Sequence, residues 1–293
     1  MTGRYNKPFE MKDMDYIDNS PVAAELKESV DELTEKGLIT TATGNLVQTN
    51  LTEGKIKYQY TLNPVRLWGY VRVMEICGIR PGMKVLDGGG ASSPIIFYLG
   101  KKGIDITTLD LQDFLVENTK KVAAEMGWKN IEALKGDMTA TRFPDNYFDA
   151  IFSISVMQSL PNDIKIKAVK EFARILKPGG ILGLVFDFGK SKNVKENYKY
   201  DIYDQSHVPP ENVGEIKKYI ILPSGLEIFG NRDLSDKISN DRAYIRRGYL
   251  NNFRRQKSIK NLFAFLISYI WSRYFNYTYY SIFLKKPNIQ KIS

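Results

Sequence analysis

Residues 84–96 read KVLDGGGASSPII: an apolar run ends in an acid, three glycines follow at once, and apolar residues then resume. Lys84, Val85 and Leu86 read as a short buried parallel strand, and Ile95 to Leu99 as the start of a helix. Gly88, Gly89 and Gly90 between them admit positive φ and leave bare backbone for a ligand to approach. Asp87, at the carboxyl end of the strand, is placed to accept hydrogen bonds from an ammonium group or an ordered water. The competing reading of the same stretch is a tight glycine turn in a core strand.

The neighbouring segments favour a binding loop. Ile104 to Leu109 predict a second apolar strand ending in Asp110, roughly twenty residues beyond the glycines, where a carboxylate can take both hydroxyls of a ribose. The stretch LKGDMTATRFPDNYFDAIFSISVMQSL follows from Leu134. From Glu171, EFARILKPGGILGLVF predicts a helix stopped by Pro178, Gly179 and Gly180 and then a strand. Between Val85 and Val185 strands and helices alternate with short connections, which predicts a parallel sheet covered by helices on both faces.

In their order and residues these landmarks resemble the class I S-adenosylmethionine-dependent methyltransferases, over roughly residues 64 to 188 with a return at 220 to 230 and 277 to 286. PDNYFDAIFS and LKPGG carry the resemblance most specifically. Two departures stand beside it: Ala91 and Ser93 occupy later glycine positions of the family's loop, and Gln158 and Ser159 stand where relatives often carry Glu-His. The resemblance implies a Rossmann-like doubly wound α/β sheet, mostly parallel with an antiparallel last strand. N-terminal helices and a C-terminal helical insertion are added to it. It also implies S-adenosyl-L-methionine as cofactor, held by Asp87, Gly88, Gly89, Gly90, Asp110, Leu111, Asp137, Met138 and Ser155. In that scheme Asp137 and Met138 flank the adenine, with Asp137 accepting from its amine, and Ser155 approaches the methionine end. Arg66 is the candidate for the methionine carboxylate, because guanidinium and carboxylate match in a bidentate fork; its alternative is a solvated surface charge.

At 293 residues with 43% hydrophobic content the chain can bury one large core with elaborations. Its formal charge of +9 suits acidic partners without choosing among phosphorylated substrates, an anionic membrane surface and nucleic acid. One cysteine, Cys77, excludes an internal disulfide framework, and with a single histidine there is no Cys/His set for zinc, so no metal is expected. A reducing cytoplasm fits, with peripheral attachment to a membrane as the variant of that reading. The first residues show neither a secretion signal nor a transit peptide.

Four parts are expected: an arm and helical cap over 1–63, the cofactor-binding domain over 64–230, a basic and apolar helical insertion over 231–276, and a closing strand and tail over 277–293. Residues 1–18 read as an arm. Ser20 caps a helix whose core face is Val22, Leu26, Val30 and Leu33, with Gly37 as its stop. Residues 38–62 suit a loop or small hairpin. A helix from Pro64 through Trp68 and Val71 to Cys77, stopped by Gly78, should lie beside the cleft. A polar loop over 189–212 is followed by a helix from Glu211 to Ile221 and a sixth strand from Gly225. The insertion, read as a substrate lid, carries Arg242, Arg246, Arg247, Arg254, Arg255, Lys257 and Lys260, then the apolar run Leu262 to Trp271. Three placements for that run stay open: packed on the domain, in a homodimer interface, or lying on lipid with 242–275 as the membrane contact.

The expected function is methyl transfer to a small-molecule or sugar acceptor in biosynthesis, by O-methylation. The acceptor would be anionic if the basic lid faces it. His207 is the first candidate base, being the one side chain with an ordinary pKa near neutrality, and Asp187 the second. The alternative is a membrane-associated scaffold that binds cofactor without turnover. Nucleic-acid methylation is disfavoured because neither an Asn-Pro-Pro-Tyr motif nor an aromatic strand platform is present. A nicotinamide oxidoreductase leaves PDNYFDAIFS and LKPGG without a role.

Overall fold

A computed structural model describes residues 4–10, 12–41, 59–60, 64–190, 208–237 and 276–288. His207 and the insertion residues 242–275 therefore lie outside the described residues. Strands β1 (Lys7–Pro8), β2 (Thr40–Thr41), β3 (Gln59–Tyr60), β4 (Lys84–Gly88), β5 (Asp105–Asp110), β6 (Ile131–Lys135), β7 (Phe148–Ile154), β8 (Leu176–Lys190), β9 (Glu227–Ile228) and β10 (Asn276–Lys285) alternate with helices. The main helices are α1 (Asp13–Asp18), α2 (Pro21–Glu35), α3 (Pro64–Ile76), α4 (Pro94–Lys101), α5 (Asp113–Glu125) and α6 (Asn162–Ile175). The sheet runs β1-β10-β8-β7-β4-β5-β6, with β9 also on β10. Strands β4 to β8 are parallel, and β10 enters antiparallel to β8, as the sequence predicts.

Helices on both faces explain the sequence of the central strands. Val85, Leu86, Ala150, Ile151, Phe152, Leu182 and Leu184 are all buried, because each strand loses both its faces to helix packing. One core lies under α2, α3 and α4 around Trp68, Val71 and Phe97; the other lies under α6 around Phe172 and Ile175. β4 pairs with β5 on one side and β7 on the other, so the chain order reverses there and a crevice opens beyond the strand ends. The glycines leave β4 at that crevice.

Several boundaries differ from the sequence reading. The LKPGG turn does not end a helix: α6 passes into β8 at Leu176, and the turn is a bulge where the register with β7 jumps from Phe148↔Leu176 to Ala150↔Ile181. Gly179 takes φ +79° there. A Cβ on Gly180 would stand 2.8 Å from the Asp149 carbonyl oxygen, which only glycine avoids. Asp187 consequently lies inside β8, opposite Tyr279, because β10 pairs with β8 all the way to Lys190. Of residues 38–62, expected as a loop or small hairpin, the described ones include a two-residue parallel pair, β2 with β3. The arm contributes β1 to the sheet edge and then α1. The helix expected from Glu211 begins at Val213 and changes to a π turn at Lys217–Ile221, and the sixth strand is only Glu227–Ile228. Ser20 caps α2 as predicted, its Oγ accepting from the Ala23 amide.

Candidate active site

The glycine loop is fixed from below by two buried carboxylates. Asp87 Oδ2 accepts a hydrogen bond from Thr108 Oγ1 at 2.8 Å, and the Gly90 amide also donates to its carboxylate. Burial raises its pKa from 3.8 to about 7, with the nearby charge of Asp110 adding to the effect against the Thr108 and Gly90 bonds. Asp110 accepts from the backbone amides of Gln112 at 3.0 Å, Leu111 and Ala91, so it ties the end of β5 to the loop. Burial pushes Asp110 up to about 6.

Each glycine meets a different constraint. Gly89 takes φ +85° and its amide donates to the Leu109 carbonyl at 2.7 Å. A Cβ there would stand 2.8 Å from both Met138 Cε and Val156 Cγ1. Gly90 has no room for a side chain because Asp87 Oδ1 and Oδ2 would lie 2.6 Å from its Cβ. The turn closes at Ser92, which takes φ +64° without being a glycine and receives a hydrogen bond from Asn118 on its Oγ. With Ala91 and Ser93 beside it, Ser92 is the second left-handed residue of the loop after Gly89.

The remaining candidates gather at the same strand ends. Met138 faces Gly89, and Asp137 Oδ1 caps its own turn by accepting from the Thr139 amide at 2.8 Å. Ser155 also takes a left-handed backbone, φ +60°, while its amide donates to the Val185 carbonyl at 2.8 Å. Asp149 anchors its strand, accepting from the Lys84 amide and the Lys177 ammonium. Arg66 is half-buried, not a solvated charge. Burial alone would lower its pKa, yet the electrostatic influence of Tyr279, Tyr70 and Asp187 and a hydrogen bond with Tyr70 raise it. Asp187 is therefore grouped with Arg66, and it is 8% exposed. His207 lies outside the described residues. Its neighbour Val208 is tied down from both sides, its amide donating to the Gln158 carbonyl and its own carbonyl accepting from Lys165 Nζ.

Four buried polar atoms around this crevice have no hydrogen-bond partner among the described residues: Ser93 Oγ, Gln112 Oε1, Ser155 Oγ and Gln158 Oε1. Such atoms cost free energy unless something bonds them. Gln112 is absent from the sequence reading; its only signal was its place two residues beyond Asp110. Among the described residues no group of three or more His, Cys, Asp or Glu is placed to hold a metal, and no helix is long and apolar enough to cross a membrane.

Comparison with known proteins agrees with this geometry. Residues 86–184 match the family model described as a methyltransferase domain. The chain is 32% identical over 149 residues, 49% of its length, to the ubiquinone/menaquinone biosynthesis C-methyltransferase UbiE of Shewanella woodyi, of which this covers 57%. It is 32% identical over 170 residues to the sterol 24-C-methyltransferase ERG6A of Gibberella zeae, covering 55% of this chain and 43% of that one. The aligned parts thus span about half of these relatives' lengths. Among solved structures, phosphoethanolamine N-methyltransferase 2 of Haemonchus contortus in complex with S-adenosyl-L-methionine superposes over 75% of this chain and 52% of its own. The TM-score is 0.55 at 16% identity, a likeness of fold.

Proposed function

We propose that the chain is a class I S-adenosylmethionine-dependent methyltransferase that transfers a methyl group to a small-molecule acceptor in biosynthesis, at carbon; the methyltransferase-domain match over residues 86–184 and the two C-methyltransferase relatives support this reading. The observation that carries the cofactor assignment is the loop at the β4 crevice, bare at Gly89 and Gly90 and braced by Asp87 and Asp110, with four unpartnered polar atoms around it. This donor and acceptor set fits the cofactor: a carboxylate for the ribose diol at Asp110, amide and hydroxyl groups at Gln112, Ser93 and Ser155, and a guanidinium at Arg66 for a carboxylate. Bound there, S-adenosyl-L-methionine supplies an electrophilic methyl group on a sulfonium.

What the chain supplies is position. Transfer from a sulfonium needs a nucleophile held in line, about 3 Å from the methyl carbon, more than it needs a strong acid. Gln158 and Asp187 flank the end of β7 and are the candidates for orienting the acceptor, with Asp187 also the candidate to take a proton from it. O-methylation, expected from the sequence, gives way here to C-methylation, because both sequence relatives named above are C-methyltransferases.

Mass spectrometry of ligand copurifying with the protein tests the cofactor. Methyl-labelled cofactor and a fractionated metabolite extract test the transfer: a labelled product resistant to ether cleavage by hydrogen iodide is the expected result. A product that releases its label as methyl iodide returns the reaction to oxygen, and binding without any labelled product makes the protein a scaffold.

A further inference from the structure

A cavity of about 740 Å³ lies between the N-terminal arm and α3, and none of its lining residues belongs to the methyl-transfer crevice. Arg4, Lys7, Lys12, Arg72 and Lys237 line it against Glu10 and Asp13. With Asp233, which pairs with Arg4, and Glu75, which accepts from Tyr16, counted in, five cations still meet only four carboxylates. Lys7 is neutralised by Asp13 at 2.7 Å and Glu10 at 3.2 Å. Lys12 shares Glu10 at 2.9 Å and is largely exposed. Among the described residues Lys237 has no ion-pair partner.

Arg72 is the innermost of these cations. It is 6% exposed, and its Nε donates to Ser281 Oγ at 3.0 Å while Nη2 donates to the carbonyls of Arg4 and Tyr5. Trp68 and Phe283 flank its guanidinium, whose carbon is 4.9 and 5.7 Å from the two ring centroids. All these partners are neutral, so the buried charge has no carboxylate bound to it among the described residues. Burial lowers its pKa to about 10, against the opposing influence of Asp13, Tyr16 and Glu75. A buried cation of this kind gains most from an anion brought to its remaining edge, Nη1, which carries no hydrogen bond among the described residues. Lys12 lines the cavity from the arm, Arg72 from α3 and Lys237 from the segment after β9, so the cations come from three elements. An anion with oxygens directed several ways suits that arrangement better than a single carboxylate.

We propose that this cavity binds a phosphate-class oxyanion, separately from the crevice, through Arg72, Lys12 and Lys237. Its occupant cross-links the arm to α3, the helix that carries Arg66 six residues earlier, about 9 Å along the axis. Calorimetry with inorganic pyrophosphate at fixed ionic strength is the test, using the full chain and a Lys12→Gln/Lys237→Gln variant. These two are surface side chains, so the variant should fold and bind S-adenosylhomocysteine like the parent. The parent should bind pyrophosphate, and the variant roughly tenfold more weakly through loss of two charge-assisted contacts. Vesicles of phosphatidylcholine with phosphatidic acid form the second arm. Sedimentation that pyrophosphate competes away places the phosphate on a lipid headgroup; pyrophosphate binding without sedimentation makes it a soluble ligand. Absence of pyrophosphate binding to the parent overturns the proposal. Equal binding by the variant, or displacement of pyrophosphate by S-adenosylhomocysteine, does so too.

Discussion

Asp110 braces the loop and is also the proposed partner of the ribose diol, so its substitution tests both together. Its carboxylate holds the Ala91, Leu111 and Gln112 amides and is the candidate for the ribose diol. Asp110→Ala should weaken cofactor binding by about 1–3 kcal/mol, read by calorimetry; affinity equal to the parent removes it from the site. Gly89→Val should be worse, because the branched side chain resists φ +85° and meets Met138 and Val156. Asp87 gives a pH dependence whose sign follows from its raised pKa. The folded carboxyl holds its proton more tightly than the unfolded one, so its contribution to stability is full below 3.8 and is lost as pH rises through about 7. Asp110, raised to about 6, has the same sign. Asp149 and Glu171, both lowered, act oppositely: their contributions are present above 3.8 and 4.5 and are lost as pH falls, at or below the acid end of this window. The cofactor-free melting temperature should therefore fall between pH about 4 and about 7, and Asp87→Asn should flatten that slope. An unchanged slope in the variant would assign it elsewhere.

At the scale of elements, legibility in the sequence follows how local the cause is. β4, β5, β7 and the helices between them were readable because burial of both strand faces imposes mostly apolar runs, and Ser20 and Gly37 mark helix ends by local chemistry. The bulge at Lys177–Gly180 and the strand β1 were not, since each depends on partners far along the chain: Gly179 donates to the Lys286 carbonyl, and Lys7 pairs with Ser281. In the site, the acids and glycines stood out as residue types, whereas Ser92 showed no sign of its left-handed backbone and Gln112 none of its buried Oε1. Asn6 illustrates the hidden part. Its Nδ2 donates to the Phe229 and Asn231 carbonyls at 2.9 and 2.8 Å, and its Oδ1 accepts from the Phe283 amide at 2.7 Å. Asn6→Ala strands one buried and two part-buried backbone groups and should cost about 1–3 kcal/mol in urea denaturation, while S-adenosylhomocysteine still binds the folded variant. A loss under 0.5 kcal/mol, about the range of an ordinary surface change, would show the arm to be dispensable.

For the whole molecule, the arm, β9 and β10 meet where the insertion leaves and rejoins the domain. Asn6 holds Asn231, Arg4 pairs with Asp233, and β1 lies on β10, so both roots of the 238–275 segment are fixed to one sheet edge. Every residue assigned to the cofactor falls between Arg66 and Ser155, before that segment begins. Cofactor binding and acceptor binding should therefore be separable along the chain. Replacing Arg246, Arg247, Arg254 and Arg255 by Gln removes four charges and keeps most of the side-chain bulk, so stability should change little if they are solvated. S-adenosylhomocysteine affinity should stay at the parent value. If the insertion receives an anionic acceptor, kcat/KM for that acceptor falls with KM carrying most of the change. If it rests on a membrane, binding to anionic vesicles weakens with added salt in the parent and is weak in the variant at any salt, while soluble acceptors react normally. A variant equal to the parent in acceptor kinetics and vesicle binding reduces the four arginines to a solvated face and removes the insertion's charge from the account of function.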